Sequence, residues 1–301
     1  MDNTNIQTRP FHIYDVFTDT PFTGNPLAIV ENADGLTTAQ MQTIAWQFNL
    51  SETIFVQTPD DPAHAAKVRI FFPTAEIPFA GHPTIGCALH LAHGDEITLT
   101  LEEQAGLVPV TFDRSGGKTW AEFTAPKRAL RRPRVPTLPQ IANALGLTQG
   151  DIGPHNPGIY EGGPAFLYVP VRNLANLAHA WPMEPAWSAM MAACNDGGPV
   201  IDSAYLYTPG DQSDYQARMF APRGGIPEDP ATGSATALLA GQLLKNGVLR
   251  DGQTMLTLRQ GVEMGRPSDL RLAVDVVDGM IKSTRVAGQA VHMATGQIRL
   301  P

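Results

Sequence analysis

A long-range internal match constrains this chain more than any other feature. The segment at residues 220–235, Phe-Ala-Pro-Arg-Gly-Gly-Ile-Pro-Glu-Asp-Pro-Ala-Thr-Gly-Ser-Ala, has a partial copy at residues 71–86, Phe-Phe-Pro-Thr-Ala-Glu-Ile-Pro-Phe-Ala-Gly-His-Pro-Thr-Ile-Gly. Aligned without a gap, Arg69 meets Arg218, Phe71 meets Phe220, Pro73 meets Pro222, Ile77 meets Ile226 and Pro78 meets Pro227, each 149 positions apart (218 − 69). Each copy reads as a strand, a turn rich in proline or glycine, and an apolar helix, with helix bodies predicted at 84–92 and 234–244. Solenoid repeats recur at far shorter periods, so the spacing implies two similar domains rather than a repeat array. A length of 301 residues is also more than one typical domain needs.

The start of a helix leaves backbone N–H groups without intrahelical partners, and its dipole favours negative charge. Small residues at that point let a ligand approach the backbone. Gly81, Thr232, Gly233 and Ser234 suit such a role. If the two copies face one another, two helix starts converge on one small acid. The plainer alternative is a pair of ordinary helices, with Thr232 or Ser234 serving as an N-cap.

Elsewhere the pattern is strand-rich, with helices predicted at 37–48, 137–146 and 184–196. A closing segment at 289–299 is expected to return to the first domain as an edge strand. Residues 1–126 are assigned to an N-terminal domain, 127–139 to a solvated linker rich in proline and arginine, and 140–288 to a C-terminal domain, with 289–301 joined to the first. Gly24-Asn25 fits a tight hairpin turn, although Asn25 could instead present its amide to a ligand. Glu52 stands where a helix gives way to an apolar strand. A carboxylate there is either a solvated turn residue or a partly buried group suited to acid–base work.

The formal charge of −8 argues against nucleic acid as a main partner. No phosphate-binding glycine loop is present, and the eight histidines lack metal-motif spacing, so neither a cofactor nor a metal is expected. The two cysteines, Cys87 and Cys194, form no disulfide framework. The first eight residues lack signal-peptide character and no stretch is long and apolar enough to span a bilayer; a cytoplasmic protein with no membrane association is expected.

Five segments, Asn25-Pro-Leu-Ala, Asn49-Leu-Ser-Glu-Thr, Pro78-Phe-Ala-Gly-His-Pro-Thr, Glu228-Asp-Pro-Ala-Thr-Gly-Ser-Ala and Gln260-Gly-Val-Glu-Met-Gly-Arg-Pro-Ser, together resemble the PhzF-like (phenazine biosynthesis-like) family, in the family's order. The resemblance runs from about Phe11 to the C-terminus. It implies an α+β fold of diaminopimelate-epimerase type: two similar domains, each a mixed or antiparallel sheet wrapped around a central helix, with the active site in the cleft between them. A homodimer is expected. Epimerases and racemases of this fold carry a cysteine at each anchor motif. The matched positions here are Ala80 and Asp229, so two-thiol racemisation is excluded. In the family's isomerase a glutamate shuttles a proton, and that position falls on Glu52; the supporting positions fall on His82, Asp229 and Ser234. The resemblance thus implies a cofactor-free isomerase of a small carboxylic acid, similar to a dihydro-hydroxyanthranilate isomerase. Glu52, His82 and Asp229 are its expected catalytic residues, and Asn25, Gly81, Thr232, Gly233 and Ser234 its expected substrate contacts. A non-catalytic binder of small acids, or a cysteine-free epimerase using Glu52 and Asp229, are the alternatives.

Overall fold

A computed structural model describes residues 7–301 apart from Asp196 and Pro199, so the expectations for the first six residues and for a helix end at Asp196 lie outside the described residues. The chain divides into two compact units, residues 1–126 with 287–301, and residues 127–286.

The first unit contains β1 (Thr8–Val16), β2 (Asn25–Val30), α1 (Thr38–Phe48), β3 (Glu52–Gln57), β4 (Ala66–Phe71), β5 (Glu76–Ile77), α2 (Gly81–Leu91), β6 (Thr98–Glu103), β7 (Gly106–Asp113) and β8 (Trp120–Thr124). β1 and β2 are antiparallel, β2 and β3 parallel, β3 and β4 antiparallel, and β4 lies parallel to β6. α2 is buried from Gly81 to Ala88, as a helix apolar on all sides must be when a sheet wraps it. Gly86 permits the close fit: a Cβ there would come within 2.5 Å of Leu27 Cδ2 and 2.8 Å of Val16 Cγ2.

The second unit contains β9 (Leu130–Arg132), α3 (Leu138–Ala144), β10 (Gly158–Glu161), β11 (Ala165–Pro170), α4 (Leu174–His179), α5 (Ala186–Cys194), β12 (Ala204–Pro209), β13 (Tyr215–Ala221), β14 (Ile226–Asp229), α6 (Gly233–Lys245), β15 (Gly252–Gln260), β16 (Ser268–Val277) and β17 (Met280–Gly288), the last ending in the first unit. Its ladder repeats that of the first unit step for step. β10 and β11 are antiparallel, β11 and β12 parallel, β12 and β13 antiparallel, and β13 lies parallel to β15. α6 is buried continuously from Ala235 to Leu243 and takes the place of α2. The last strand, β18 (Ala290–Arg299), pairs antiparallel with β1.

The duplication is therefore structural, but its ungapped alignment holds only through the first strand. In β4 and β5, Ile70 pairs with Ile77; in β13 and β14, Met219 pairs with Asp229. The helix starts, capped at Ala80 and Thr232, are 152 positions apart (232 − 80). Three residues have entered the second copy, where Pro222–Gly224 forms a short 3-10 turn. Glu76 thus corresponds to Glu228, Gly81 to Gly233 and Thr84 to Thr236, whereas the Ile77/Ile226 and Pro78/Pro227 matches are coincidental in register.

Two local expectations are also corrected. Gly24-Asn25 is not a two-residue hairpin turn, because β1 ends opposite Asn25 and the connection spans residues 17–24. Gly24 closes that loop at φ +71°, where a Cβ would lie 2.4 Å from the Val16 carbonyl oxygen. Residues 127–139 are not wholly a solvated linker. Leu130–Arg132 pairs with β10, and Arg132 is buried, 3.3 Å from Glu161.

Candidate functional site

The first half-site is assembled by three chain features. α1 begins with a capping box between Thr37 and Gln40 and stops at Asn49, which takes the left-handed conformation (φ 50°) and donates its N–H to the Ala45 carbonyl at 3.0 Å. Asparagine tolerates that conformation better than most residues, so the chain turns sharply there. Glu52 follows as the first residue of β3, opposite Leu27 of β2. Asn25 opens β2, and His82 lies in the first turn of α2. All three side chains are buried.

His82 Nδ1 lies 3.1 Å from Glu52 Oε2 and 3.4 Å from Asn25 Nδ2. Burial pushes the imidazole pKa down to about 3, only partly opposed by a hydrogen bond with the Pro26 carbonyl. The ring is therefore neutral at ordinary pH, and its close approach to Glu52 is not an ion pair. Nδ1 faces both the Glu52 carboxylate, which only accepts, and the Asn25 amide nitrogen, which only donates, so it serves one of them at a time. Nε2 is buried with no hydrogen-bond partner among the described residues. A carboxylate and a neutral imidazole so arranged can take up, hold and return a proton.

The second half-site surrounds the start of α6. Asp229 ends β14, is 4% exposed, and accepts a hydrogen bond from Thr232 Oγ1 at 2.5 Å. That hydroxyl was a candidate N-cap; it instead ties the turn to Asp229, and no side-chain cap bond is present at Thr232. Ala80 likewise supplies none to α2. Both helix starts thus present small residues and backbone N–H groups without a capping side chain, as an anion site requires. Gly81 and Gly233 are the first helical residues, and Ser234 is the half-buried second residue of α6. Within its own unit, each half-site gathers the residues expected of it: Asn25, Glu52, Gly81 and His82 in the first, and Asp229, Thr232, Gly233 and Ser234 in the second.

Two contributors were missed by sequence reasoning. Gln260 is fully buried and grips the turn before α6 from both sides. Its Nε2 donates to the Asp229 carbonyl at 2.7 Å and to Thr232 Oγ1 at 3.0 Å, while its Oε1 accepts from the Thr232 N–H at 3.1 Å. Its neighbour Gly261 (φ +73°) allows backbone contact with Pro230, where a Cβ would meet the carbonyl oxygen at 2.7 Å. The signal was present in the motif beginning Gln260-Gly, but no local pattern tells a buried bracing amide from a surface one.

Glu103 is the second. It is 8% exposed behind the start of α2, and burial pushes its pKa up to about 8. Thr84 Oγ1 lies 2.7 Å from both the Ala80 carbonyl and Glu103 Oε1. One hydroxyl proton serves only one of them, so a protonated Glu103 donating to Thr84 completes the pair. Strand alternation carried the hint, because Glu103 shares a face with Leu101 and Leu99. In the second copy Thr236 instead meets the Tyr205 hydroxyl, at 3.3 Å.

The sign of the linkage follows from the raised pKa. Between the unfolded value near 4.5 and the folded value near 8, the folded state holds the proton that the unfolded state has released. Stability from this group is complete below the unfolded pKa, declines as pH rises and levels off above the folded pKa. Its share of the slope is up to about 1.4 kcal/mol per pH unit. Glu103→Gln is expected to flatten that decline. Denaturation between pH 5 and 8 tests it, and an unchanged slope would show that Glu103 is ionised in the fold.

Both cysteines are buried, and burial raises their thiol pKa values, that of Cys194 to about 11. Neither lies at a helix start. By helix register the counterpart of Ala80 is Thr232 rather than Asp229, which corrects the matched pair without supplying a thiol. Among the described residues no helix is long and apolar enough to cross a membrane.

The comparisons with known proteins agree with this architecture. A family model described as phenazine biosynthesis-like protein matches residues 14–296. An uncharacterized isomerase of Mesorhizobium japonicum is 40% identical, with 97% of this chain and 99% of that protein covered. The trans-2,3-dihydro-3-hydroxyanthranilate isomerase of Pseudomonas chlororaphis is 34% identical, with 96% and 98% covered. A crystal structure of a PhzF-family phenazine biosynthesis protein from Bacillus anthracis superposes with a TM-score of 0.85 at 24% identity, covering 97% of this chain and 99% of that one. With its motifs in order and its duplicated sheet-and-helix units of diaminopimelate-epimerase type, the chain belongs to the phenazine biosynthesis-like (PhzF) family.

Proposed function

We propose that this protein is a cofactor-independent isomerase that moves a proton, and with it a double bond, on a small carboxylic acid. The observation that carries the reading is the buried contact of Glu52 with a neutral His82 at the uncapped start of α2. Glu52 removes a proton from a carbon made acidic by conjugation and returns it to another carbon of the same π system. His82 packs against the carboxylate with Nδ1 and offers its buried Nε2 to a polar substituent. Asn25 helps to hold the imidazole in place. In the first unit the backbone at Gly81 is a contact for a substrate carboxylate; in the second the backbone at Gly233 and Ser234 plays that part, Thr232 braces the turn with its N–H given to Gln260, and Asp229 orients a polar group. The name of the Pseudomonas chlororaphis relative supports a dihydro-hydroxyanthranilate as the first compound to try.

The test is a screen of cyclic and unsaturated carboxylic acids in deuterated water, read by NMR. An isomerase gives a product with a displaced double bond and deuterium at the new position. Exchange at a single stereocentre with no bond shift would indicate an epimerase instead. An acid that binds tightly, exchanges nothing and is not converted would overturn the catalytic reading in favour of a small-acid binding protein.

A further inference from the structure

α2 carries His82 in its first turn and His90 in its last, eight residues or about 12 Å along the axis. Around His90 a second cluster of chemistry-bearing side chains gathers, which the proposed reaction does not use. His12 comes from β1 and Glu31 from the residue just after β2. His90 Nε2 lies 2.7 Å from Glu31 Oε1, and His12 Nε2 lies 3.6 Å from the same oxygen. The three atoms are all within 4.8 Å of one another. The side chains are 19%, 33% and 10% exposed for His12, Glu31 and His90, so the group sits in a shallow recess.

The far nitrogens are as ordered as the near ones. His90 Nδ1 lies 3.1 Å from the Tyr14 hydroxyl, and His12 Nδ1 lies 3.1 Å from Thr295 Oγ1. Thr295 is held in turn by His292 Nε2 at 2.9 Å. Both imidazoles therefore turn one nitrogen toward a carboxylate and rest the other on a hydroxyl oxygen. Metal-binding histidines show this pattern: the outer N–H donates to an oxygen, which fixes the tautomer and aims the inner lone pair. The C-terminal end of α2 adds the negative pole of its dipole, which favours a cation.

We propose that His12 Nε2, Glu31 Oε1 and His90 Nε2 form a binding site for a divalent first-row metal ion. Two imidazoles and one carboxylate best suit zinc, with water as the fourth ligand. The ion is a staple joining β1, the end of β2 and the end of α2, and through Thr295 it also steadies β18. It takes no part in proton transfer at Glu52.

The experiment uses the whole chain without a histidine tag, stripped by a chelator and titrated with zinc chloride alone. One equivalent per chain is expected by calorimetry and by metal analysis after gel filtration. Cobalt(II) in place of zinc should give the intense visible absorption of a four-coordinate ion. Glu31→Gln and His90→Gln should each weaken binding by at least about 10²-fold, and Tyr14→Phe by about 10-fold, the effect expected for an outer partner. His64→Gln, which alters a separate histidine–carboxylate pair with Glu102 at 2.8 Å, should change nothing. Should a ligand variant misfold by circular dichroism, Tyr14→Phe and the cobalt spectrum still decide. Less than one equivalent in the parent protein, weak octahedral cobalt absorption, or equal affinity in His90→Gln and the parent would each overturn the proposal. In that case His90 donates through Nε2–H to Glu31, and the cluster is a hydrogen-bond network only.

Discussion

Glu52→Gln is expected to reduce turnover by at least about 10²-fold while leaving the protein folded and able to bind a carboxylate ligand. A positioned acid–base group contributes about 10² to 10⁴ in rate. Glutamine keeps the length and shape of the side chain, so the buried position 3.1 Å from His82 Nδ1 stays filled by a polar atom. The parallel pairing of Leu27 with position 52 involves backbone only and is undisturbed. What disappears is the titrating carboxylate. The measurement is solvent-deuterium exchange on an accepted acid, alongside a melting curve and a ligand titration. Exchange in Glu52→Gln as fast as in the parent would remove Glu52 from the mechanism. Loss of both exchange and ligand binding would point to a role in holding the substrate rather than in moving its proton.

The duplication and the position of Glu52 could be read from the sequence because they rest on local rules. Asn49 ends α1 through a left-handed turn, and the β-rich run after it starts a strand, which brings Glu52 to the junction. The α2 start was harder to place. Pro83 lies in the first turn, where a missing N–H costs little, so the helix begins at Gly81 rather than at 84. The three-residue shift between the copies could not be seen, because Pro78 and Pro227 happened to align while the pairing of β13 with β14 slipped through a bulge. Arg132 was hidden by its company: a basic, proline-rich run looks solvated until β10 pairs with it. Gln260 and Glu103 act at long range, from β15 onto the α6 turn and from β6 onto α2, and local periodicity carries no information about such partners. The His12–Glu31–His90 group shows the same limit. Its members lie on three elements, with none of the sequence spacing by which a metal motif is recognised.

The corrected register places two arginine–glutamate pairs at equivalent points of the copies, and their burial predicts very different consequences for one substitution. Arg69 meets Glu76 through Nε and Nη2 at 2.7 and 2.6 Å, with both side chains about a quarter exposed. Arg218 meets Glu228 in the same bidentate manner, 2.8 Å for each bond, but is 4% exposed. Its Nη1 also lies 2.8 to 3.0 Å from the carbonyls of Leu177, Ala178 and Ala180, where it closes the C-terminal end of α4. Breaking a buried pair from one side leaves a charge stranded in a poor solvent, at a cost of about 3–5 kcal/mol, whereas exposed pairs contribute about 0–1 kcal/mol. Arg218→Met should therefore lower stability by about 3–5 kcal/mol, and Arg69→Met by about 1 kcal/mol or less, both measured by denaturant unfolding. The double variant Arg218→Met/Glu228→Leu should recover part of the loss, because no unpaired carboxylate then remains buried, although the α4 carbonyls still lack their donor. Equal effects of Arg69→Met and Arg218→Met would show that burial does not set the difference. Glu228 is followed directly by Asp229 in β14, so freeing it loosens the strand end whose Asp229 carbonyl Gln260 holds. Arg218→Met is accordingly expected to weaken binding of a carboxylate ligand even at temperatures where it remains folded, and Arg69→Met, whose partner Glu76 is followed by Ile77 rather than by an aspartate, to leave it nearly unchanged.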